Sequence, residues 1–154
     1  SSDLSTNVYS VWECKYKTLF LIFYKSVFGG EFATFMRYGD LPSDESSVAL
    51  SDADQQKIMH VSLPINASTI LTTSDTNDQF CAQSNTVFTV GNNHYISINL
   101  DAHEQADAKR LFDALSANGK IEMPLEKTFW AALYGAFTDQ FGIKWMVNCQ
   151  LEEG

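Results

Sequence analysis

Of the three histidines in this 154-residue chain, one lies within a β-rich run: His60, in IMHVSL at 58–63. An imidazole in a strand can act as a general base or a metal ligand, because its charge changes near neutral pH. Neither a second His nor a carboxylate stands at i+2 or i+4 from His60. A hydrogen-bonded place in the core or at an interface therefore competes with the chemical role. His94 beside a turn and His103 at a helix start read as solvated.

A second group is aromatic. The stretch 129–145, FWAALYGAFTDQFGIKW, contains Trp130, Tyr134 and Trp145, large rings with polar handles that line small-molecule cavities as well as cores. Trp12 joins them from the N-terminal strand, and Ser97 and Asn99 add neutral hydrogen-bonding groups. The acidic residues Asp40, Asp44, Glu45, Asp52 and Asp54 lack the register and glycine of a calcium loop and read as a solvated insertion. Neither a nucleophile elbow, a P-loop nor a GxGxxG follows a strand, so hydrolase, nucleotide and nicotinamide chemistry find no support. Nothing looks like a glycine-rich S-adenosylmethionine loop.

Composition narrows the partners. A chain 45% hydrophobic and 13% aromatic reads as one folded domain, residues 1–154. With 10 Lys+Arg against 19 Asp+Glu, the net charge of −9 would repel a phosphate backbone, so nucleic acid is not an expected partner. The most apolar run, residues 19–24, is too short to span a bilayer, and residues 1–7 have no signal-peptide pattern. Cys14, Cys81 and Cys149, odd in number and widely spaced, fit a reducing cytoplasm.

The elements that would position these residues follow the chain in two similar passes. Residues 8–12 read as a strand, 16–28 as a helix closed by Gly29-Gly30, and 31–38 as a strand. After the insertion at 39–56, residues 57–65 and 68–74 form a hairpin around Asn66-Ala67. A connection at 76–94 includes a short edge strand at 87–90. Residues 95–100 alternate strictly, and 101–118 are the best helix, with Asp101 and Glu104 as a capping box. Strands at 121–123, 129–137 and 143–149 complete a second set, the last two joined by the turn at 139–142. Each half reads βαβββ: module one at about 7–75, module two at about 95–150. In each helix a Phe precedes the closing Gly by seven residues, Phe23 with Gly30 and Phe112 with Gly119.

The motifs FYKSVFGGEF (23–32), IMHVSL (58–63) and MPLEKTFW (123–130), with the final hairpin, resemble the PhnB-like branch of the vicinal oxygen chelate superfamily, relatives of glyoxalase I, extradiol dioxygenases and the fosfomycin and bleomycin resistance proteins. The resemblance covers roughly residues 7–150. It implies an α+β fold of two βαβββ modules forming curved mixed sheets around a central cleft. It also implies, for metal-using members, inward His and Glu ligands on the first and last strands of each module. Residues 8–12, 68–74, 95–100 and 143–149 contain no His, Asp or Glu, so no metal or other cofactor is expected.

The reading that follows is a metal-free protein of undefined activity that binds a small apolar or weakly polar molecule in the inter-module cleft. Trp12, His60, Ser97, Asn99, Trp130, Tyr134 and Trp145 would contact it, with His60 as the candidate catalytic residue. The rivals are a metal-dependent lyase or isomerase of the glyoxalase type and a protein-interaction module with a filled cleft. The over-apolar segment 19–24 and the superfamily's pairing habit point to a homodimer. If Ile96, Ile98 and Leu100 pack under the second helix, then Tyr95, Ser97 and Asn99 face the cleft, with Trp145 and Val147 expected on their side.

Overall fold

The computed structural model describes residues 6–12, 17–42, 49–77, 85, 87 and 89–152, with residues 6–12, 17 and 18 described by secondary structure only. They fall into two compact units that divide between Thr89 and Val90.

In the first unit, β1 (Thr6–Trp12) leads to α1 (Lys17–Phe28), β2 (Thr34–Arg37), the single-turn α2 (Asp52–Gln55), β3 (Ile58–Pro64) and β4 (Thr69–Asp75). The sheet order is β1-β4-β3-β2, with β1 and β4 parallel and the other neighbours antiparallel. The α1 helix ends where Gly29 and Gly30 take φ of 73° and 77°, a region that glycine enters without penalty. Its apolar run is divided by helical geometry. Phe20, Leu21, Tyr24 and Val27, spaced three and four apart, are buried, whereas Leu19 and Ile22 are 59% and 57% exposed.

Three sequence expectations need adjusting here. The strand expected over 31–38 is confined to Thr34–Arg37, and Tyr38 already begins a 3-10 turn, Tyr38–Asp40. The β3–β4 reversal is wider than a two-residue turn. Ile65 and Asn66 both donate to the Thr69 carbonyl, and Asn66 Oδ1 accepts the Ser68 N–H at 2.9 Å. The edge strand expected at 87–90 is not seen at residues 87, 89 and 90, and Val87 is 88% exposed. Residues 43–48 of the insertion lie outside the described residues.

The second unit repeats the plan: β5 (Ile96–Leu100), α3 (Gln105–Ser116), β6 (Lys120–Glu126), β7 (Leu133–Thr138) and β8 (Lys144–Cys149), in sheet order β5-β8-β7-β6 with β5 and β8 parallel. The capping box forms as expected, Asp101 N–H donating to Glu104 Oε2 at 2.8 Å. Ala108, Leu111, Phe112 and Leu115 make the buried stripe of α3, and the Phe112 ring meets Phe137 edge to face at 5.0 Å. The α3 helix therefore covers the face of the sheet that carries Phe137, Trp145 and Ile96, where Trp145 pairs with both of the others. Gly135 lies on this face too. A Cβ there would come within 2.6 Å of the Phe112 ring, so the helix approaches the sheet only because that position is glycine. The strand expected over 129–137 begins only at Leu133.

The β7–β8 turn is organised by Asp139, which is buried. Its Oδ1 accepts the Phe141 and Ile143 N–H groups, both at 2.9 Å, and its Oδ2 accepts the Trp145 indole N–H at 2.8 Å. Gly142, at φ 86°, supplies the left-handed residue of the turn. Removing the carboxylate takes this acceptor from two backbone donors and one indole donor. Asp139→Ala should therefore lose about 2–4 kcal/mol of stability in urea unfolding; a loss under about 1 kcal/mol would show that the turn does not depend on Asp139.

Candidate functional site

Strand alternation divides the side chains of the second sheet between two faces. Trp145, Val147 and Cys149 are buried on the α3 side, beside Ile96, Ile98 and Leu100 of β5. Lys144, Met146 and Asn148 must then project from the opposite face, beside Ser97 and Asn99. Register carries the pattern on to β7, where Tyr134 pairs with Asn148, Ala136 with Met146 and Thr138 with Lys144.

The face away from α3 is thus built in three rows that run across the strands. The first is an amide row, Asn99–Asn148–Tyr134, which ends at Glu126 on the edge strand β6 and in which Asn99 Oδ1 accepts from Asn148 Nδ2 at 3.4 Å and from Ser97 Oγ at 3.3 Å. The Trp130 ring, 48% exposed, meets Tyr134 edge to face at 5.5 Å and closes the end of this row. The second row is mostly apolar, Ser97–Met146–Ala136–Met123. The Tyr134 hydroxyl donates to Met146 Sδ at 3.0 Å and ties the two rows together.

The third row is charged. Tyr95, just before β5, and Glu122, in a bulge of β6, stand on opposite edges of the sheet, with β8 and β7 between them. They meet over Lys144. Tyr95 OH donates to Glu122 Oε2 at 2.5 Å, Thr138 Oγ1 donates to Glu122 Oε1 at 2.8 Å, and Lys144 Nζ donates to Glu122 Oε1. Lys144 Nζ also reaches Thr138 Oγ1 at 3.1 Å and Tyr95 OH at 3.4 Å, and lies 4.9 Å from the Tyr95 ring centroid. The hydrogen bond from Lys144, then those from Tyr95 and Thr138, lower the Glu122 carboxyl to about 2 from an ordinary 4.5. The bond to Glu122 in turn raises the Lys144 ammonium above its ordinary value.

The sequence-predicted site residues divide accordingly. Ser97, Asn99, Trp130 and Tyr134 share this region of the second unit. Trp145 does not, and its assignment to the ligand side is corrected: it is 1% exposed, on the α3 face, with its indole N–H held by Asp139. Val147 is buried on the same α3 face, also contrary to expectation. The reason is period: β8 must place one alternate set under the helix, and the Phe137–Trp145 pairing fixes which set. His60 is half-buried in β3 of the first unit, paired with Met36. Trp12 ends β1, paired with Asp75, and its side chain lies outside what is described. Sequence reasoning missed Tyr95, Glu122, Thr138 and Lys144 as a group, and Met146 and Asn148 as partners of Ser97 and Asn99. The period of β8 was a signal for Met146 and Asn148; nothing local joins Glu122 to Lys144.

Metal chemistry can be tested against the same face. Its first and last strands present Ser97, Asn99, Met146, Asn148 and an ion-paired Lys144. Hydroxyl, amide, thioether and ammonium groups are a poor donor set for a divalent transition ion, and they do not fit one. In the first unit β4 extends to Asp75, but that buried carboxylate accepts the Ile58 N–H at 2.6 Å. Among the described residues, one group of three potential ligands comes within 4.8 Å, Asp101, His103 and Glu104, and Asp101 and Glu104 form the capping box of the turn before α3.

The chain belongs to the glyoxalase/bleomycin resistance protein/dioxygenase superfamily, whose sequence profile matches residues 20–147. It is 53% identical over 49 residues to protein YjdN of Escherichia coli (strain K12), a match that spans 32% of this chain and 33% of that protein. Protein PA1353 from Pseudomonas aeruginosa has a similar structure, with TM-score 0.72 and 33% identity, over 97% of this chain and 99% of that one. The fold is also that of a PhnB protein from Bacillus cereus, a putative 3-demethylubiquinone-9 3-methyltransferase, at TM-score 0.64 and 20% identity over 94% and 98% of the two chains.

The depressed carboxyl has a consequence for stability. Folding favours ionised Glu122, so its contribution is complete above the ordinary value of 4.5 and is lost as pH falls toward 2. Thermal melts of the native protein and Glu122→Gln should differ at pH 7 and converge between pH 4.5 and 2; a gap that stays constant with pH would show that ionisation of Glu122 contributes nothing to this Tyr95–Glu122–Thr138–Lys144 clasp.

Proposed function

We propose that this protein is a metal-free binder of a small, neutral, weakly polar molecule, held on the face of the second module's sheet away from α3. The observation that supports this most is the internal neutralisation of the charged row. Lys144 directs its donors to Glu122, Thr138 and Tyr95, so it is not a ready countercharge for a phosphate or dicarboxylate; the other ammonium of the row, Lys120, stands opposite Thr138 on the edge strand β6. What the face offers a ligand is the thioether of Met146, the rings of Tyr134 and Trp130, and a few neutral polar groups, which suits an apolar ring with limited hydrogen bonding. Three scattered cysteines, with the Cys149 thiol buried and its pKa raised chiefly by burial, support a cytoplasmic setting. The name borne by the Bacillus cereus protein suggests methyl transfer, but this sequence has no glycine-rich loop of the kind that chemistry uses.

Tryptophan fluorescence tests the reading, because Trp130 is half-exposed beside Tyr134 and Trp145 is buried. Titration with 1,4-naphthoquinone should give saturable quenching that is absent in Trp130→Phe, and Met146→Glu should weaken binding by about tenfold or more by placing a charge in the apolar row. Unsaturable quenching, or equal affinity in Met146→Glu, would count against this face. Metal analysis should find less than a tenth of an equivalent of zinc, nickel or manganese, on the order expected for a protein without a site.

The protein is also proposed to be a homodimer. Leu19 and Ile22, one helical turn apart on α1, are both more than half exposed. Light scattering should report twice the 17.2 kDa chain mass, and Ile22→Glu should shift the protein toward monomer. A monomer at micromolar concentration refutes the pairing.

A further inference from the structure

We propose that the ligand is recognised through a cis-amide edge, adjacent N–H and C=O groups on a flat ring as in a lactam or pyridone, by the paired side chains of Asn99 and Asn148; this rests on the binding reading above. Asn99 and Asn148 are direct neighbours on the parallel strands β5 and β8, and one side-chain hydrogen bond of 3.4 Å joins them. That bond uses one carbonyl and one N–H of the pair. Asn99 Oδ1 accepts a second bond from Ser97 Oγ at 3.3 Å and is fully engaged. Among the described residues, Asn99 Nδ2 and Asn148 Oδ1 make no hydrogen bond. The pair thus presents both free N–H donors and one free carbonyl acceptor.

This complementarity does not depend on which way the amides are drawn. If both side chains are turned over, the bond between them runs the other way, and the pair still shows both free N–H donors and a free carbonyl acceptor. A carboxylate, a quinone or an ether offers acceptors only and would supply no donor to the free Asn carbonyl. An ammonium offers donors only. A cis-amide satisfies both groups, and its N–H adds a hydrogen bond that an analogue lacking it cannot make. The neighbours fit the rest of such a molecule. Met146 of the next row and Tyr134 beyond Asn148 provide a polarisable and an aromatic surface for a ring. Because Lys144 and Glu122 neutralise one another, neither calls for a charge on the ligand.

Equilibrium titration of the whole protein with 2-quinolone, its N-methyl derivative and 1,4-naphthoquinone tests the inference. 2-Quinolone should bind about tenfold or more tightly than N-methyl-2-quinolone, which keeps the ring and the carbonyl but loses the N–H. In Asn148→Leu and in Asn99→Leu the two should bind alike. Equal affinity for the two compounds in the native protein overturns the inference without any variant, as does a preference that persists in both variants. Saturable binding of naphthoquinone with none of 2-quinolone defeats the amide inference and leaves the binding reading standing. Binding of none of the three defeats both.

Discussion

A slip of one residue in the pairing of β8 would exchange Trp145, Val147 and Cys149 for Lys144, Met146 and Asn148 beneath α3, burying an ammonium and an amide without partners. What prevents it is the Asp139 turn. A single buried carboxylate binds the Phe141 and Ile143 N–H groups at the corner and the Trp145 indole one step along the strand, so the turn and the first inward side chain share one acceptor. The Phe112–Phe137 contact makes the same choice from the helix side. The face carrying the candidate site is thus defined as the complement of a packed core, and its geometry follows from the core's register.

The polar groups of the two modules serve different ends. Asp75 and Asp139 are buried and accept backbone N–H groups, which makes them parts of the framework. The capping pair Asp101 and Glu104 is likewise committed to the turn before α3. Glu122 and Lys144 are directed toward each other and toward two hydroxyls, and together they bridge the two edges of the second sheet. Once these groups are satisfied internally, the centre of this face is neutral, with two amides, a serine hydroxyl, a thioether and two aromatic rings, and Lys120 and Glu126 flank it on the edge strand β6.

Both modules use one topology, with the first strand at the sheet edge, parallel to the last, and a helix between the first two strands. A parallel neighbour requires a crossover connection, and in each module that connection carries a helix. In the second module the stripe of α3 is well separated from its polar side. The α1 helix carries apolar groups beyond its buried stripe at Leu19 and Ile22, so the repeat is one of architecture and not of surface.

Much of the fold was legible in the sequence because its signals are local. Gly29-Gly30 and Asn118-Gly119 end the helices, Asp101 and Glu104 start one, and the alternation over 95–100 separates two faces. The sequence also carried Ser97, Asn99, Trp130 and Tyr134 as site candidates, since polar residues on the non-helix side of a strand and aromatics beside a turn are visible without coordinates. It could not decide the fate of Trp145. A tryptophan at a strand start suits a core as well as a pocket, and only the pairing with Phe137 under α3 resolves which. Nor could it assemble the clasp. Tyr95 lies 49 residues from Lys144 and Glu122 lies 22 from it, and a hydrogen bond between groups so far apart in the chain exists only after four strands have taken their order.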